Sequence, residues 1–297
     1  MDFMQENAEM PGFMMERELM KRSPELFERF QKAVFALPRI LSSYRRIFPH
    51  YTDHSELHAL NVIDFCNRII GPENLKRLNE DEIYCLRMGC YLHDVGMGIR
   101  EEDLDGFLEE IKSAGHCAKP PEGDLPDVVR KLHHELSGRF VHKYAMLFDF
   151  PSEAHAFAVE EIARGHRKTD LFDPTDFPAG LSVPGGNTLC VPYLAALVRL
   201  ADEVDVATDR SPVLLRDHEV HAEAIQQKID SLQEAVREVR VEADAFLFRI
   251  HTDSEKVLEY VCELQETTQN TLDYCRRVVS ERTPFEISQT KVIMERI

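Results

Sequence analysis

Apolar residues recur at intervals of three and four between about residues 20 and 210, a period typical of helices that bury one face. The clearest runs are Val62, Phe65 and Ile69; Ile83, Leu86 and Cys90; Leu132, Leu136 and Phe140; and Leu194, Val198 and Ala201. Helix breakers separate these runs, as at Gly71–Pro72, at Pro120–Pro121 and in the proline-containing segment 173–186. The pattern therefore predicts a mainly α-helical domain over this part of the chain.

The C-terminal part of the chain follows a different pattern. A polar helical stretch, residues 217–237, precedes the apolar run 246–250, which has the composition of a strand. A second helical stretch follows at residues 254–280, and short apolar runs at 285–287 and 291–293 together predict a second strand. We therefore predict a small C-terminal α/β appendage.

These patterns divide the chain into three parts. Residues 1–44 form an N-terminal helical segment, residues 45–212 form the main helical domain, and residues 213–297 form the appendage. The helices of the appendage could cover a functional site, form a dimer contact or bind a partner, and the sequence leaves these roles open. We expect a homodimer, since symmetric dimers are the commonest oligomers.

The composition narrows the classes of function. The 297-residue chain carries 35 Lys and Arg against 53 Asp and Glu, a net charge of −18 that disfavours general binding to nucleic acid. No run of about 18 apolar residues is present to form a membrane span, and the Met-rich N-terminus has no apolar signal core. The seven cysteines form no CxxC pair and lie mostly in apolar stretches, as reduced buried thiols do. We therefore expect a cytoplasmic protein.

Several histidines and aspartates lie on the apolar faces of five successive predicted helices. These residues are His58, His93, Asp94, His133, His166 and Asp202. A single buried histidine is usually a hydrogen-bonded core residue, but a carboxylate on an apolar face must be paired or bind a metal. A bound cation accounts for all of these positions at once, because neutral imidazole and carboxylate suit a borderline divalent ion.

These positions also stand in a recognisable order of local motifs. Residues 58–62, HALNV, resemble an H-x-x-x-V pattern, residues 91–96, YLHDVG, resemble an LHDhG doublet, and residues 197–205, LVRLADEVD, resemble an LLRxADxxD helix. The ordered set resembles the HD-domain superfamily of metal-dependent phosphohydrolases over about residues 45–210. Residues 162–168 are also similar to the HD-like domain of the exopolyphosphatase/guanosine pentaphosphatase family. The resemblance implies an HD-type helical bundle for the main domain.

The resemblance further implies a set of metal ligands. The core ligands of the superfamily match His58, His93, Asp94 and Asp202. The additional histidines of members that hold a second metal match His133 and His166, with Asp94 as the bridge. The resemblance therefore implies two divalent metal ions as cofactors. It does not distinguish among manganese, iron, magnesium, nickel and cobalt.

Two neighbouring positions complicate this assignment. His134 is adjacent to His133 and is an alternative ligand; we favour His133 because the small Ser137 one turn later leaves room at the site. Asp205 lies nearly one turn beyond Asp202, and we interpret it as a residue that orients a ligand.

Catalysis in such a site starts from water whose pKa a bound metal lowers towards about 7. We expect Asp94 to take part in this chemistry as well as to bind metal. His54, one turn before His58, has three interpretations: an acid–base group, a further ligand or a structural residue.

Positive charge for binding phosphate is concentrated in one region. Arg167 and Lys168 follow His166, and Arg199 lies within the last helix of the main domain. Guanidinium groups bind phosphate oxygens bidentately and lysine acts as a point charge, so we predict that these three residues contact the substrate. Alternatively, Arg167 and Lys168 complement a helix C-terminus, and Arg199 pairs with a buried acid such as Asp205.

Metal ligands next to a local cluster of cations predict hydrolysis of a phosphoester or phosphoanhydride bond by metal-activated hydroxide. An acidic protein with one small basic region suits a compact, nucleotide-type small molecule better than a polymer. Two alternatives remain at this point: an HD-type di-iron oxygenase with the same ligands, and a non-catalytic regulatory protein that binds metal or nucleotide.

Overall fold

The computed structural model describes residues 14–48, 56–117, 119, 121–206 and 224–297. The helices are α1 (Met14–Arg22), α2 (Pro24–Leu41), α3 (Glu56–Arg77), α4 (Glu80–Leu92), α5 (Glu101–Ser113), α6 (Leu125–Lys143), α7 (Glu153–Gly165), α8 (Val191–Val204), α9 (Ala224–Ala235) and α10 (Glu255–Arg282). The strands are β1 (Leu181–Ser182), β2 (Thr188–Leu189), β3 (Val236–Val241), β4 (Ala245–Ile250) and β5 (Lys291–Arg296). Helices dominate the described residues, which confirms the predicted mainly α fold.

Side-chain caps mark where several helices begin. The Ser23 hydroxyl accepts a hydrogen bond from the Leu26 backbone N–H at the start of α2. At the start of α4, Asn79 and Glu82 each accept a hydrogen bond from the backbone N–H of the other. These caps satisfy backbone donors that the first helical turn leaves open, and each contributes roughly 1 kcal/mol.

Helix α8 lies at the centre of the bundle and is buried from Val191 to Ala201. It contacts α3, α4, α7 and α10, so solvent reaches none of its sides over this stretch. A surrounded helix is apolar on all sides, and in the sequence VPYLAALVRLA the one charged residue is Arg199. Helix α4 is equally enclosed, with every residue from Asp81 to Leu92 buried. The ends of these two buried helices carry several of the candidate ligands.

A glycine allows α6 to lie directly against the turn that follows α4. A Cβ atom at Gly96 would come within 2.5 Å of the His133 carbonyl oxygen and of the Ser137 backbone nitrogen. The Gly96 N–H instead donates to the Ser137 hydroxyl at 2.9 Å. This close approach sets His93 and Asp94 opposite the middle of α6.

The C-terminal residues form the predicted small α/β unit. Its sheet has the order β3-β4-β5, with β3 and β4 antiparallel and β4 and β5 parallel. Helix α10 connects the two parallel strands and packs against both α8 and β5. The appendage therefore shares a buried contact with the centre of the bundle.

Two details of this unit differ from the sequence prediction. Residues 236–241 form strand β3, whereas we predicted helix up to residue 237, and residues 285–287 form no strand. The sequence VREVRV places its valines at spacings of three and two, so its pattern fits a helix as well as a strand. Pairing with β4, including an irregular register between Val236 and Glu238, decides the outcome.

Candidate metal centre

Four side chains meet at the inner ends of α3, α4 and α8. The Nε2 atom of His58 lies 3.0 Å from His93 Nε2, 3.3 Å from Asp94 Oδ2 and 3.2 Å from Asp202 Oδ1. One ligand atom from each of these four residues lies within 4.8 Å of the other three. We call them the first ligand group. Two imidazoles and two carboxylates at these separations form a donor set that suits a borderline divalent ion.

A second ligand group adjoins the first through Asp94. The Nε2 atoms of His133 and His166 lie 3.0 Å apart and are 3.5 and 3.7 Å from Asp94 Oδ1. These three residues also offer donor atoms within 4.8 Å of one another. Because Asp94 directs Oδ2 to the first group and Oδ1 to the second, one carboxylate lies between the two.

The backbone fixes the tautomer of three of the histidines. The Nδ1 atoms of His93, His133 and His166 donate to the carbonyls of residues 90, 130 and 163 at 2.8, 2.9 and 2.6 Å. A carbonyl can only accept, so each neutral ring carries its proton on Nδ1 and presents a lone pair at Nε2. The His133 and His166 lone pairs therefore face each other without a proton to share. A bound cation removes this repulsion, so the donor set fits a metal.

Asp205 orients His58 from outside the first ligand group. Its Oδ2 accepts a hydrogen bond from His58 Nδ1 at 2.6 Å, and its Oδ1 accepts one from the Asn61 amide at 3.3 Å. A carboxylate in this position fixes the ring orientation and makes the opposite nitrogen a better ligand. The structure thus places Asp205 where the sequence prediction put an orienting residue.

Burial and neighbouring groups favour the metal-binding forms of these side chains. Burial, followed by the charges of His133 and His93, holds the pKa of His166 well below its usual value. Burial opposes ionisation of Asp202, but the neighbouring imidazoles of His58 and His93 outweigh it and hold the pKa of Asp202 well below its usual value. Near neutral pH this gives a neutral imidazole and an ionised carboxylate, the states that bind metals.

The structure gathers all six predicted ligand residues, although their helices are not consecutive. Helix α5 intervenes between the turn that carries Asp94 and helix α6, and it contributes to neither ligand group. Its apolar residues Phe107 and Ile111 instead pack into a separate core cluster beside α6. The regular apolar spacing of the sequence did not reveal this insertion.

His134 lies outside both ligand groups. Its ring points into a neighbouring cavity that also exposes His116, Glu135 and Lys168. Its Nδ1 atom is buried without a hydrogen-bond partner, and burial, followed by the charge of His133, lowers the pKa of His134 to about 3. Adjacent residues on a helix point about 100° apart, so only one of the two histidines can face the centre. The other alternative ligand, His54, lies outside the described residues.

A cavity of about 610 Å³ opens next to the two ligand groups. On the side of the bundle it is lined by Asp94, His133, His166, Arg167, Lys168, Arg199, Asp202, Glu203 and Val206. On the opposite side it is lined by Ile229, Leu232, Gln233, Leu264, Thr267, Asn270, Thr271 and Tyr274. A cavity of this size accommodates a small organic molecule, and the metal ligands form part of its wall.

The three predicted substrate-contact residues differ in their surroundings. Arg167 and Lys168 are exposed at the cavity, and neither forms an ion pair with another described residue. Arg199 is buried, and it donates to the carbonyls of Gly165 and Thr169 at 2.7 Å and to that of Arg167. Arg199 thus holds the turn that carries the other two cations. It does not pair with Asp205, and its contact with substrate stays a prediction.

The sequence left open whether the appendage helices cover the site, and the structure places α9 and α10 in the cavity wall; Glu203 was not predicted as a residue of the site. Leu264, Thr267, Thr271 and Tyr274 follow one another at helical spacing, but nothing in that pattern shows what faces them. Burial, followed by the charge of Asp202, raises the pKa of Glu203 to about 7. This shift was not predictable from the sequence, since glutamate in a polar motif usually faces solvent.

A mainly helical bundle that gathers a His-Asp doublet, three further histidines and an aspartate around one centre defines an HD-type domain. The chain matches the HD-CE family over residues 48–284 and belongs to that family. The match confirms the resemblance to HD domains and extends through α9 and α10, beyond the predicted domain boundary at residue 212. That boundary lies outside the described residues, and the proposed domain limits stay predictions.

No curated protein matches the sequence. Among the described residues, no helix combines the length and the hydropathy that crossing a bilayer requires.

Proposed function

We propose that the protein is a metal-dependent phosphohydrolase that cleaves a phosphoester or phosphoanhydride bond of a nucleotide-type small molecule. One observation carries the proposal: residues from both ligand groups, including the shared Asp94, line the same cavity as the exposed cations Arg167 and Lys168. Metal ions held by these ligands, together with the exposed cations, would provide the positive charge that phosphoryl transfer requires.

The proposal assigns a role to each group of residues at the site. Bound divalent ions, two in number, supply positive charge at the phosphoryl group and lower the pKa of water towards about 7. Asp94 holds one oxygen towards each ligand group, and Asp205 keeps the His58 ring in place. Arg167 and Lys168 bind the phosphoryl oxygens, while Arg199 holds the turn that carries both residues.

The size and charge of the site support a compact substrate. The cavity of about 610 Å³ suits a molecule of nucleotide size, and the net charge of −18 disfavours a long polyanion. All seven cysteines are free thiols, which supports a cytoplasmic location. The proposal therefore includes neither a nucleic-acid partner nor a membrane partner, and a homodimer stays a prediction.

Metal analysis and phosphate release test the proposal directly. We expect purified protein to contain a divalent metal, and to release phosphate from at least one member of a nucleotide panel with Mn²⁺, Mg²⁺, Ni²⁺ or Co²⁺ added. Asp94→Ala should abolish both properties and leave the far-UV helical signal largely intact. Asp105→Ala, at an exposed position on α5, is the matched control and should retain both.

Full activity of Asp94→Ala would exclude the proposed centre. Bound iron with an oxygen-dependent reaction and no phosphate release would instead identify the oxygenase alternative. Purified protein without metal, even after addition of these ions, would favour the regulatory alternative.

A further inference from the structure

The two sides of the cavity differ in charge. The bundle contributes carboxylates, imidazoles and three cations, whereas the lining residues from α9 and α10 are all uncharged. We call the latter set the neutral wall; it consists of Ile229, Leu232, Gln233, Leu264, Thr267, Asn270, Thr271 and Tyr274. A ligand that fills this cavity therefore meets a charged end and a neutral end.

The neutral wall combines apolar surface with hydrogen-bonding groups. Ile229, Leu232 and Leu264 offer aliphatic surface, which suits the flat face of an aromatic ring. Asn270, on the exposed side of α10, offers both a donor and an acceptor on one amide. A nucleobase has the complementary features, with apolar faces and an edge of alternating donors and acceptors.

Hydrogen bonds fix this wall relative to the phosphate-binding residues. The Tyr274 hydroxyl donates to Asp170 Oδ1 at 2.9 Å and accepts from the Leu171 N–H at 2.7 Å. The Arg199 guanidinium lies 5.1 Å from the centre of the Tyr274 ring. Helix α10 is thus attached to the turn that carries Arg167 and Lys168, so the separation between the charged and neutral ends is set by direct contacts.

We propose that the C-terminal α/β unit is the nucleoside-binding half of the cavity, with Asn270 as a residue that recognises the base edge. The inference rests on the proposed function, since it assumes that the phosphate lies at the metal ligands. It assigns a role to the appendage that the sequence left open. It also predicts that affinity depends on the organic part of the ligand as well as on its phosphate.

Equilibrium binding tests this inference without requiring turnover. The full chain, loaded with Mn²⁺, is titrated calorimetrically with AMP, GMP, CMP, UMP and inorganic phosphate. We expect at least one nucleoside monophosphate to bind about 10-fold or more tightly than phosphate. Asn270→Ala should reduce that advantage about 3- to 10-fold, the effect of losing hydrogen bonds to an uncharged partner.

Asn270→Ala is expected to fold, because the position is exposed and alanine favours a helix more than asparagine does. Ser280→Ala, an exposed polar-to-alanine change on the same helix outside the cavity, is the matched control and should retain the full advantage. Thermal unfolding of both variants verifies that the fold is intact.

The outcomes separate this inference from the proposed function. Equal affinities of the wild-type protein for all five ligands, or an unchanged preference in Asn270→Ala, would overturn the nucleoside-binding wall. Selective nucleotide binding without hydrolysis of any nucleotide would retain the wall and reject the phosphohydrolase. Hydrolysis without any preference for nucleotides over phosphate in binding would support the phosphohydrolase and reject the nucleoside-binding wall.

Discussion

His133 and His166 point their Nε2 atoms at each other across 3.0 Å, while the Nδ1 atom of each donates to a carbonyl three residues earlier in the chain. Neither Nε2 atom carries a proton in the neutral rings, so the two lone pairs repel. The arrangement is unfavourable by itself and would become favourable if both nitrogens bound the same cation. Stability of the folded protein should therefore depend on metal.

The first prediction uses this dependence to separate two adjacent histidines. We expect a chelator to lower the thermal midpoint of the wild-type protein by several degrees, since a ligand that binds only the folded state stabilises it. The shift should become clearly smaller in His133→Ala, which loses a ligand. His134→Ala, which changes a ring outside both ligand groups, should retain the wild-type shift. Equal shifts in all three proteins would contradict the assignment.

The second prediction concerns the two arginines of the phosphate region. Arg167→Ala should raise KM for the nucleotide substrate without changing metal content or stability, because its side chain is exposed. Arg199→Ala should also lower the free energy of unfolding by about 1–3 kcal/mol, because the buried Gly165 carbonyl and two part-buried carbonyls lose their donor. Urea unfolding and steady-state kinetics measure the two effects separately. A large loss of stability in Arg167→Ala, or none in Arg199→Ala, would reverse our interpretation.

The third prediction tests the close approach of α6 to the turn after α4. Gly96→Ala introduces a methyl group that collides with backbone atoms of α6, so we expect the free energy of unfolding to fall by about 1–3 kcal/mol. Metal affinity should fall as well, since His133 must move. Gly106→Ala is the matched control: nothing lies within 4 Å of its added methyl group, and we expect a gain of about 0.5–1 kcal/mol. The same sign of change in both variants would disagree with the packing.

The fourth prediction concerns Glu161, which is buried beside Arg164 on α7. Burial, helped by the charges of Glu160 and Asp176, outweighs the attraction of Arg164 and raises the pKa of Glu161 from 4.5 to about 8. The folded state therefore binds this proton more tightly than the unfolded state does. The contribution of this protonation to the free energy of unfolding is fully present below about pH 4.5 and is lost as the pH rises to about 8. The loss is at most about 1.4 kcal/mol per pH unit.

Glu161→Gln should consequently become more stable relative to wild type as the pH is raised from about 5 to about 8. Urea unfolding at several pH values measures the difference. Glu153→Gln, which removes a negative charge from an exposed position of the same helix, is the matched control. A difference between Glu161→Gln and wild type that stays constant with pH would refute the prediction.

The candidate ligands could be predicted because a charged residue on an apolar helix face is visible in the sequence pattern. Asp94 and Asp202 follow apolar runs at helical spacing, where a carboxylate requires a partner. The same spacing predicted the mainly helical fold. These features depend on residues within one or two turns of each other, so the local sequence contains them.

Features that depend on distant contacts were not predictable in this way. Arg199 was expected to contact substrate or pair with an acid, but its donors go to backbone carbonyls of a turn about 30 residues earlier. Residues 236–241 form a strand because they pair with β4. Asn270 is a candidate ligand contact only because it lines the cavity. In each case the partner is chosen by tertiary packing.

The shared carboxylate of Asp94 has a consequence for how the centre is filled. If each ligand group binds an ion, an ion held by the first group would restrain the Asp94 carboxylate that the second group shares, so occupancy of one group would alter the affinity of the other. By thermodynamic reciprocity, the influence is the same in either direction. A titration of the protein with metal should therefore follow a cooperative curve, in which a substitution in one histidine pair weakens uptake at both.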